Sequence, residues 1–174
     1  MNVLTTSRLN IRHIELSDAD FIMELYNTPG WIKYVGDRGV TSEENAEEYL
    51  NSRIIPLYEK LGYGFYLVER LSDQKRIGIC GIVKREGLDD VDIGYGFLPE
   101  YHGKGFAIEA AQACLDHGFT DHKIKRIVAI TLEGNHSSIA LLKKLGMTYE
   151  KMIKLPDDDA ELMLFGIDSN DKLG

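Results

Sequence analysis

The stretch V91-D-I-G-Y-G-F-L-P-E-Y-H-G-K-G-F-A-I-E-A-A decides how this chain is read. It predicts a strand, a short glycine-rich turn and a helix. Val91 to Leu98 is rich in apolar and aromatic residues, and Pro99 stops it. Phe106, Ala107, Ala110, Ala111, Cys114 and Leu115 recur near helical spacing. Between strand and helix lies Gly103-Lys104-Gly105. A glycine turn at a helix start exposes backbone N–H groups with no Cβ in the way. A phosphate can rest on them and on the positive end of the helix dipole. The turn therefore predicts a binder of a phosphate-bearing cofactor.

The pattern excludes two common phosphate loops. No Ser or Thr follows a Gly-Lys pair as a Walker A loop requires. A dinucleotide fingerprint starting at Gly103 needs Gly or Ala at its sixth position, which is Ile108. What the stretch resembles is the acetyl-coenzyme A motif of the GNAT superfamily of N-acetyltransferases. The resemblance is to the branch that includes the bacterial ribosomal-protein N-terminal acetyltransferases. There the loop typically reads P-E-x-W-G-K-G-Y-A-x-E-A; here it is P-E-Y-H-G-K-G-F-A-I-E-A, with His102 in place of the usual Trp.

The chain has 174 residues, which predicts one domain, 1–174, with a real core. A net charge of −8 argues against general nucleic-acid binding and suits a cationic substrate such as an amine. No apolar run is long enough to span a membrane, and the N-terminus shows no signal peptide. Cys80 and Cys114 fall inside a predicted strand and helix and read as small buried hydrophobes. The expected compartment is the reducing cytoplasm.

Outward from the central stretch, Leu9, Ile11 and His13 alternate as a first strand. Ser17 reads as the cap of a helix burying Phe21, Ile22 and Leu25, broken at Pro29-Gly30. Thr41 with Glu44 reads as a capping box for a second helix, which Pro56 kinks or ends. Strands are expected at Tyr63–Arg70, Arg76–Lys84, Arg126–Thr131, Met147–Ile153 and Ala160–Ile167. A helix from Ser137 to Leu145 should end at Gly146. Pro156 to Asp159 reads as a solvated turn. This order matches a GNAT-like α/β (α+β mixed) fold: a central, mostly antiparallel, splayed sheet flanked by helices. The resemblance implies that coenzyme A lies where the strands before and after the glycine-loop helix part.

The same resemblance nominates site residues. The loop from His102 through Gly103, Lys104, Gly105, Phe106 and Ala107 would hold the cofactor phosphates, although His102 also reads as an ordinary surface histidine. A backbone N–H near Phe97 or Leu98 would stabilise the oxyanion. N135-H-S-S-I-A-L-L-K-K-L-G-M resembles the family's second element. Asn135 there contacts the pantetheine arm, or caps the helix, or both. Much of the superfamily places a thiolate-protonating Tyr seven residues after that Asn, which here is Leu142. The ribosomal branch uses a Ser three residues after it, which is Ser138. Ser138 and Leu142 share a helix face, so the hydroxyl can reach a similar place. The bland alternative is a second capping hydroxyl.

Asp92, on the strand feeding the loop, is the leading candidate for a base, where related enzymes carry Glu; a plain strand-edge carboxylate is the alternative. Glu69 is the second candidate. Trp31 and Tyr34 lie in the segment that covers the acceptor site in the family, or simply pack. No metal-ligand spacing and no Ser-His-Asp set is present. The resemblance thus implies an acetyl-coenzyme A-dependent N-acetyltransferase without a metal. It would act on a protein N-terminus or a small amine, as a monomer or homodimer. A non-catalytic acyl-coenzyme A sensor on the same fold is the alternative.

Overall fold

Period-two alternation of apolar residues builds one sheet of eight strands. The computed structural model describes residues 1–156 and 158–173. The strands are β1 (Asn2–Thr5), β2 (Leu9–His13), β3 (Phe65–Arg70), β4 (Arg76–Val83), β5 (Val91–Phe97), β6 (Arg126–Leu132), β7 (Thr148–Ile153) and β8 (Leu162–Asp168). Their order is β1-β2-β3-β4-β5-β6-β8-β7. Every neighbouring pair is antiparallel except β5 with β6. A parallel pair needs a crossover, and α5 (Phe106–Thr120) supplies it. The pairing is brief: Val91 faces Ile127 and Asp92 faces Val128. Beyond Asp92 no register joins the two strands, so a gap opens toward the glycine loop.

The sheet is covered on both faces. On one side α5 and α6 (His136–Lys144) bury Phe106, Ala110, Cys114, Phe119 and Leu142 against Phe97 and Phe165. On the other, α1 (Ala19–Tyr26), α2 (Pro29–Tyr34) and α3 (Glu43–Tyr49) bury Phe21, Leu25, Trp31 and Ala46 against Leu67, Ile79 and Leu98. Each large apolar side chain buried this way contributes about 1.5–3 kcal/mol. Alternation along β5 sends Ile93, Tyr95 and Phe97 toward α5 and leaves Asp92, Gly94 and Gly96 on the opposite face. There the glycines are needed for close approach. A Cβ on Gly94 would stand 2.8 Å from the Phe65 ring, and one on Gly96 2.4 Å from the Trp31 ring.

Local signals were misread at several helix ends. Glu15, not Ser17, precedes the first turn: its amide donates to Asp18 Oδ2 at 2.9 Å, ahead of a 3-10 turn over Leu16–Asp18. Pro29 opens α2, because a first helical turn tolerates the missing N–H. The cap of α3 is Ser42, whose Oγ accepts from Asn45 N at 3.1 Å, rather than Thr41 with Glu44. Pro56 lies in the first turn of α4 (Ile55–Leu61), after a wide π turn over Leu50–Ile54 that absorbs the break. The edge strand β1 and the terminal α7 (Ser169–Leu173) lack a clear sequence signal. Gly146 ends α6 as expected, at φ +90°. The expected turn at Pro156–Asp159 includes Asp157, which lies outside the described residues. Among the described residues no helix is long and apolar enough to cross a membrane.

Candidate active site

The glycine turn folds as a cradle. Gly103 and Gly105 have φ of +72° and +81°, a left-handed conformation that glycine adopts without strain. Gly105 is the N-cap of α5, and among the described residues no side chain caps that helix end. The first amides of a helix have no intrahelical acceptor, so here they point outward. Phe106 anchors the turn by burying its ring, and half-buried Ala107 adds little bulk beside the amides. A left-handed glycine turn followed by an uncapped helix of 15 residues fits a phosphate or pyrophosphate group. Lys104 donates through Nζ to Glu100 O at 2.9 Å. His102 donates through Nε2 to Phe97 O at 2.8 Å. Its ring therefore ties the loop to the end of β5.

Arg8 was missed by the sequence reading. Its Nη1 donates to Lys104 O at 3.0 Å and its Nε to Glu109 Oε1 at 3.0 Å. Its guanidinium lies 4.4 Å from the Phe106 ring centroid. Thr6 donates to the other Glu109 oxygen at 2.8 Å. The segment before β2 thus braces the loop from behind. Arg8 stands almost a hundred residues away in sequence, so no local motif could have announced it.

The expectation of an oxyanion donor at Phe97 or Leu98 is narrowed by register. Leu98 N already donates to Ile77 O at 2.9 Å. Bonded and non-bonded pairs alternate in an antiparallel ladder, so the Phe97 amide points away from β4, toward the gap. Across that gap, Ser138 Oγ stands 2.7 Å from Tyr95 Oη. Asn135 is the N-cap of α6: its Oδ1 accepts from Ser138 N at 3.4 Å and from Ser137 Oγ at 3.3 Å. Its Nδ2 donates to no group among the described residues. Leu142 is buried.

The two carboxylate candidates lie elsewhere. Asp92 is only 1% exposed, and Arg85 takes both its oxygens, at 3.2 and 3.1 Å. Burial pushes its carboxyl up, against the pull of Arg85. It sits where β5 and β6 still pair. A base must come within a hydrogen bond of the amine, or within one water, and here both Asp92 oxygens are engaged by Arg85. Glu69 is held by Arg12 Nε at 2.7 Å and Asn10 Nδ2 at 3.2 Å.

On the helical face of the gap, Trp31 stacks on Tyr26 at 4.3 Å, and its buried Nε1 has no hydrogen-bond partner among the described residues. Tyr34 is half-buried, and Lys33 Nζ stands 5.0 Å from its ring. Cys80 and Cys114 are buried free thiols, as expected. No three His, Cys, Asp or Glu side chains among the described residues converge on a metal position.

A splayed sheet with a glycine cradle at the mouth of the splay defines a GNAT acetyltransferase. The acetyltransferase (GNAT) domain family matches residues 8–148, and this chain belongs to it. Among curated proteins it is similar to the uncharacterized N-acetyltransferase YnaD of Bacillus subtilis (strain 168). The two are 35% identical over 151 residues, which cover 87% of this chain and 85% of YnaD. Its fold is also that of RimL, a ribosomal α-N-protein acetyltransferase, in complex with coenzyme A. The TM-score is 0.81 at 20% identity, over 97% and 98% of the two chains. The spermidine N-acetyltransferase of Vibrio cholerae, in complex with coenzyme A and spermine, gives a TM-score of 0.80 at 21% identity, over 97% and 100%.

Proposed function

We propose that this protein transfers the acetyl group of acetyl-coenzyme A directly to a primary amine, with both bound at once. The uncapped start of α5 behind Gly103 and Gly105 carries this reading, because it offers backbone donors to the donor's phosphates. The Nδ2 of Asn135 would donate to the pantetheine arm. That RimL and spermidine N-acetyltransferase hold coenzyme A on the same fold supports the assignment.

The thioester is already activated, so neither a metal nor a covalent nucleophile is required. A free alkyl amine with a pKa of about 10 is neutral in about one molecule in a thousand at pH 7. Its ammonium must lose a proton before the nitrogen can attack. With Asp92 and Glu69 held by arginines, waters lodged against backbone carbonyls in the gap take that proton. The N–C bond forms, and the Phe97 amide donates to the oxyanion. The C–S bond then breaks, and the Ser138 hydroxyl donates a hydrogen bond to the leaving sulfur. The Trp31 ring, packed against Gly96, walls the acceptor side.

The test is a screen of peptide N-termini, polyamines and small amines, read by release of free thiol. One class should turn over. Acetyl-coenzyme A should also raise the melting temperature where NAD and ATP at equal concentration do not. Binding without thiol release from any amine would favour the acyl-coenzyme A sensor. Tighter binding of ATP or NAD would sink the cradle assignment.

A further inference from the structure

We infer that Tyr95 is a positioning residue for acetyl transfer, holding the Ser138 hydroxyl so that the serine hydrogen points at the departing sulfur. The inference rests on the transferase reading above. Tyr95 stands on β5 and Ser138 in the first turn of α6, which follows β6. Their hydroxyls meet at 2.7 Å, beyond the last β5–β6 register pair. The bond therefore bridges the two halves of the fold where the sheet itself no longer does.

A serine hydroxyl has one hydrogen and two lone pairs, and it rotates to suit its neighbours. Near a helix start it competes for local backbone groups. Among the described residues the Ser138 hydroxyl bonds only Tyr95. Either hydroxyl could donate across that distance, but a phenol is the more acidic of the two and an aliphatic hydroxyl the better acceptor, so Tyr95 donates. Burial pushes the phenol up to about 12, so its hydrogen stays in place. With one serine lone pair filled from behind, the serine hydrogen is directed away from Tyr95. Donation into Oγ also polarises the serine O–H, so it makes a stronger bond to a developing anion.

Magnitudes decide between aiming and proton delivery. A thiol titrates near about 8.5, well below Tyr95, so passing a proton from the phenol to the thiolate is unfavourable by roughly a thousandfold. Tyr95 therefore keeps its proton throughout. The electron pair of the broken C–S bond stays on sulfur, stabilised by Ser138, until water protonates it. Phenylalanine at position 95 would keep the ring packed between Cys80 and α6 and remove only the donor.

The experiment compares the parent with Tyr95→Phe, Ser138→Ala and the double variant. Tyr95→Phe should lower kcat about three- to tenfold, the worth of one hydrogen bond, with KM for acetyl-coenzyme A little changed. In the Ser138→Ala background the same change should have no further effect, since the group it aims is gone. Equal losses in both backgrounds would assign Tyr95 to packing and overturn the inference. A second readout needs no amine: the pH titration of the thiol of bound coenzyme A, followed by thiolate absorbance. That thiol should titrate higher in Tyr95→Phe than in the parent, by about half a unit or more. Identical titrations would overturn the inference even if amines are acetylated. Failure of coenzyme A to bind the parent would overturn the transferase reading and this inference together. Binding with the expected thiol shift but no acetylated amine would leave the aiming of Ser138 standing and remove only the transfer.

Discussion

The proposed donor and acceptor sides of the gap are built from different materials. The proposed donor side is backbone: two left-handed glycines, the first amides of α5 and the Phe97 amide turned away from β4. The proposed acceptor side is side chain: Trp31 against Gly96, Tyr26 beneath it and Tyr49 edge-on to Tyr26 at 5.5 Å. Backbone groups are identical in every protein, so such a donor side needs only glycine at set positions. Side chains differ, so an acceptor side built from them can be tuned by substitution. One strand serves both, since β5 presents Tyr95 and Phe97 to the donor side and Gly94 and Gly96 to the acceptor side.

Gly105→Glu is the most severe way to test that division. It forces a side chain into φ +81° and drives it against Arg8 Nη2, 3.2 Å from where its Cβ would stand, so the turn loses its shape. Acetyl-coenzyme A affinity should fall by about a hundredfold or more by calorimetry, while amine contacts stay untouched. Retained affinity would remove the cradle from the donor side.

Arg85→Ala should have an intermediate effect, on stability rather than chemistry. Asp92 would lose its hydrogen-bonded cation while remaining buried, and its carboxyl would rise further. The folded state would then hold a proton that the unfolded chain releases at the ordinary carboxylate value, so stability must fall as pH rises above that value. The loss, about 1–3 kcal/mol, should be larger at about pH 8 than at about pH 5 in urea melts. Asp92→Asn should give a rate–pH profile parallel to the parent. A profile that steepens at low pH would return Asp92 to the acceptor side as a base.

Trp31→Phe should be the mildest. It keeps a ring beside Gly96 and removes part of the indole face from that wall. KM for the amine should rise about two- to fivefold with acetyl-coenzyme A affinity unchanged, the worth of a modest loss of apolar contact. A change in cofactor affinity instead would blur the boundary between the two sides.

The same contrast explains what could be read from the sequence. The strand, turn and helix around Gly103-Lys104-Gly105 were legible because their signals are local: Pro99 ends the strand and glycine marks the turn. Ser138 was nominated through its spacing from Asn135. Its Tyr95 partner was not, because a contact spanning 43 residues leaves no periodic trace. Asp92 carried the right type at a plausible place. Its burial under Arg85, seven residues back across a hairpin, depends on how that turn folds. Ser17 and Thr41 failed as caps because neighbouring residues offered equivalent chemistry one or two positions away.

The brace of Thr6 and Arg8 on the phosphate loop also bears on how the chain folds. Its hydrogen bonds join residues 96 to 103 positions apart, among the longest-range contacts in the sheet-and-helix layout. Closing so large a loop costs entropy before any contact rewards it, which slows assembly. On a growing chain the bracing residues emerge first and wait for the segment they support. The proposed capacity to bind acetyl-coenzyme A would therefore be acquired late, once the first strands and the fifth helix have docked. Ligand-dependent protection of the loop amides would thus time the completion of folding, while secondary structure alone would report its beginning.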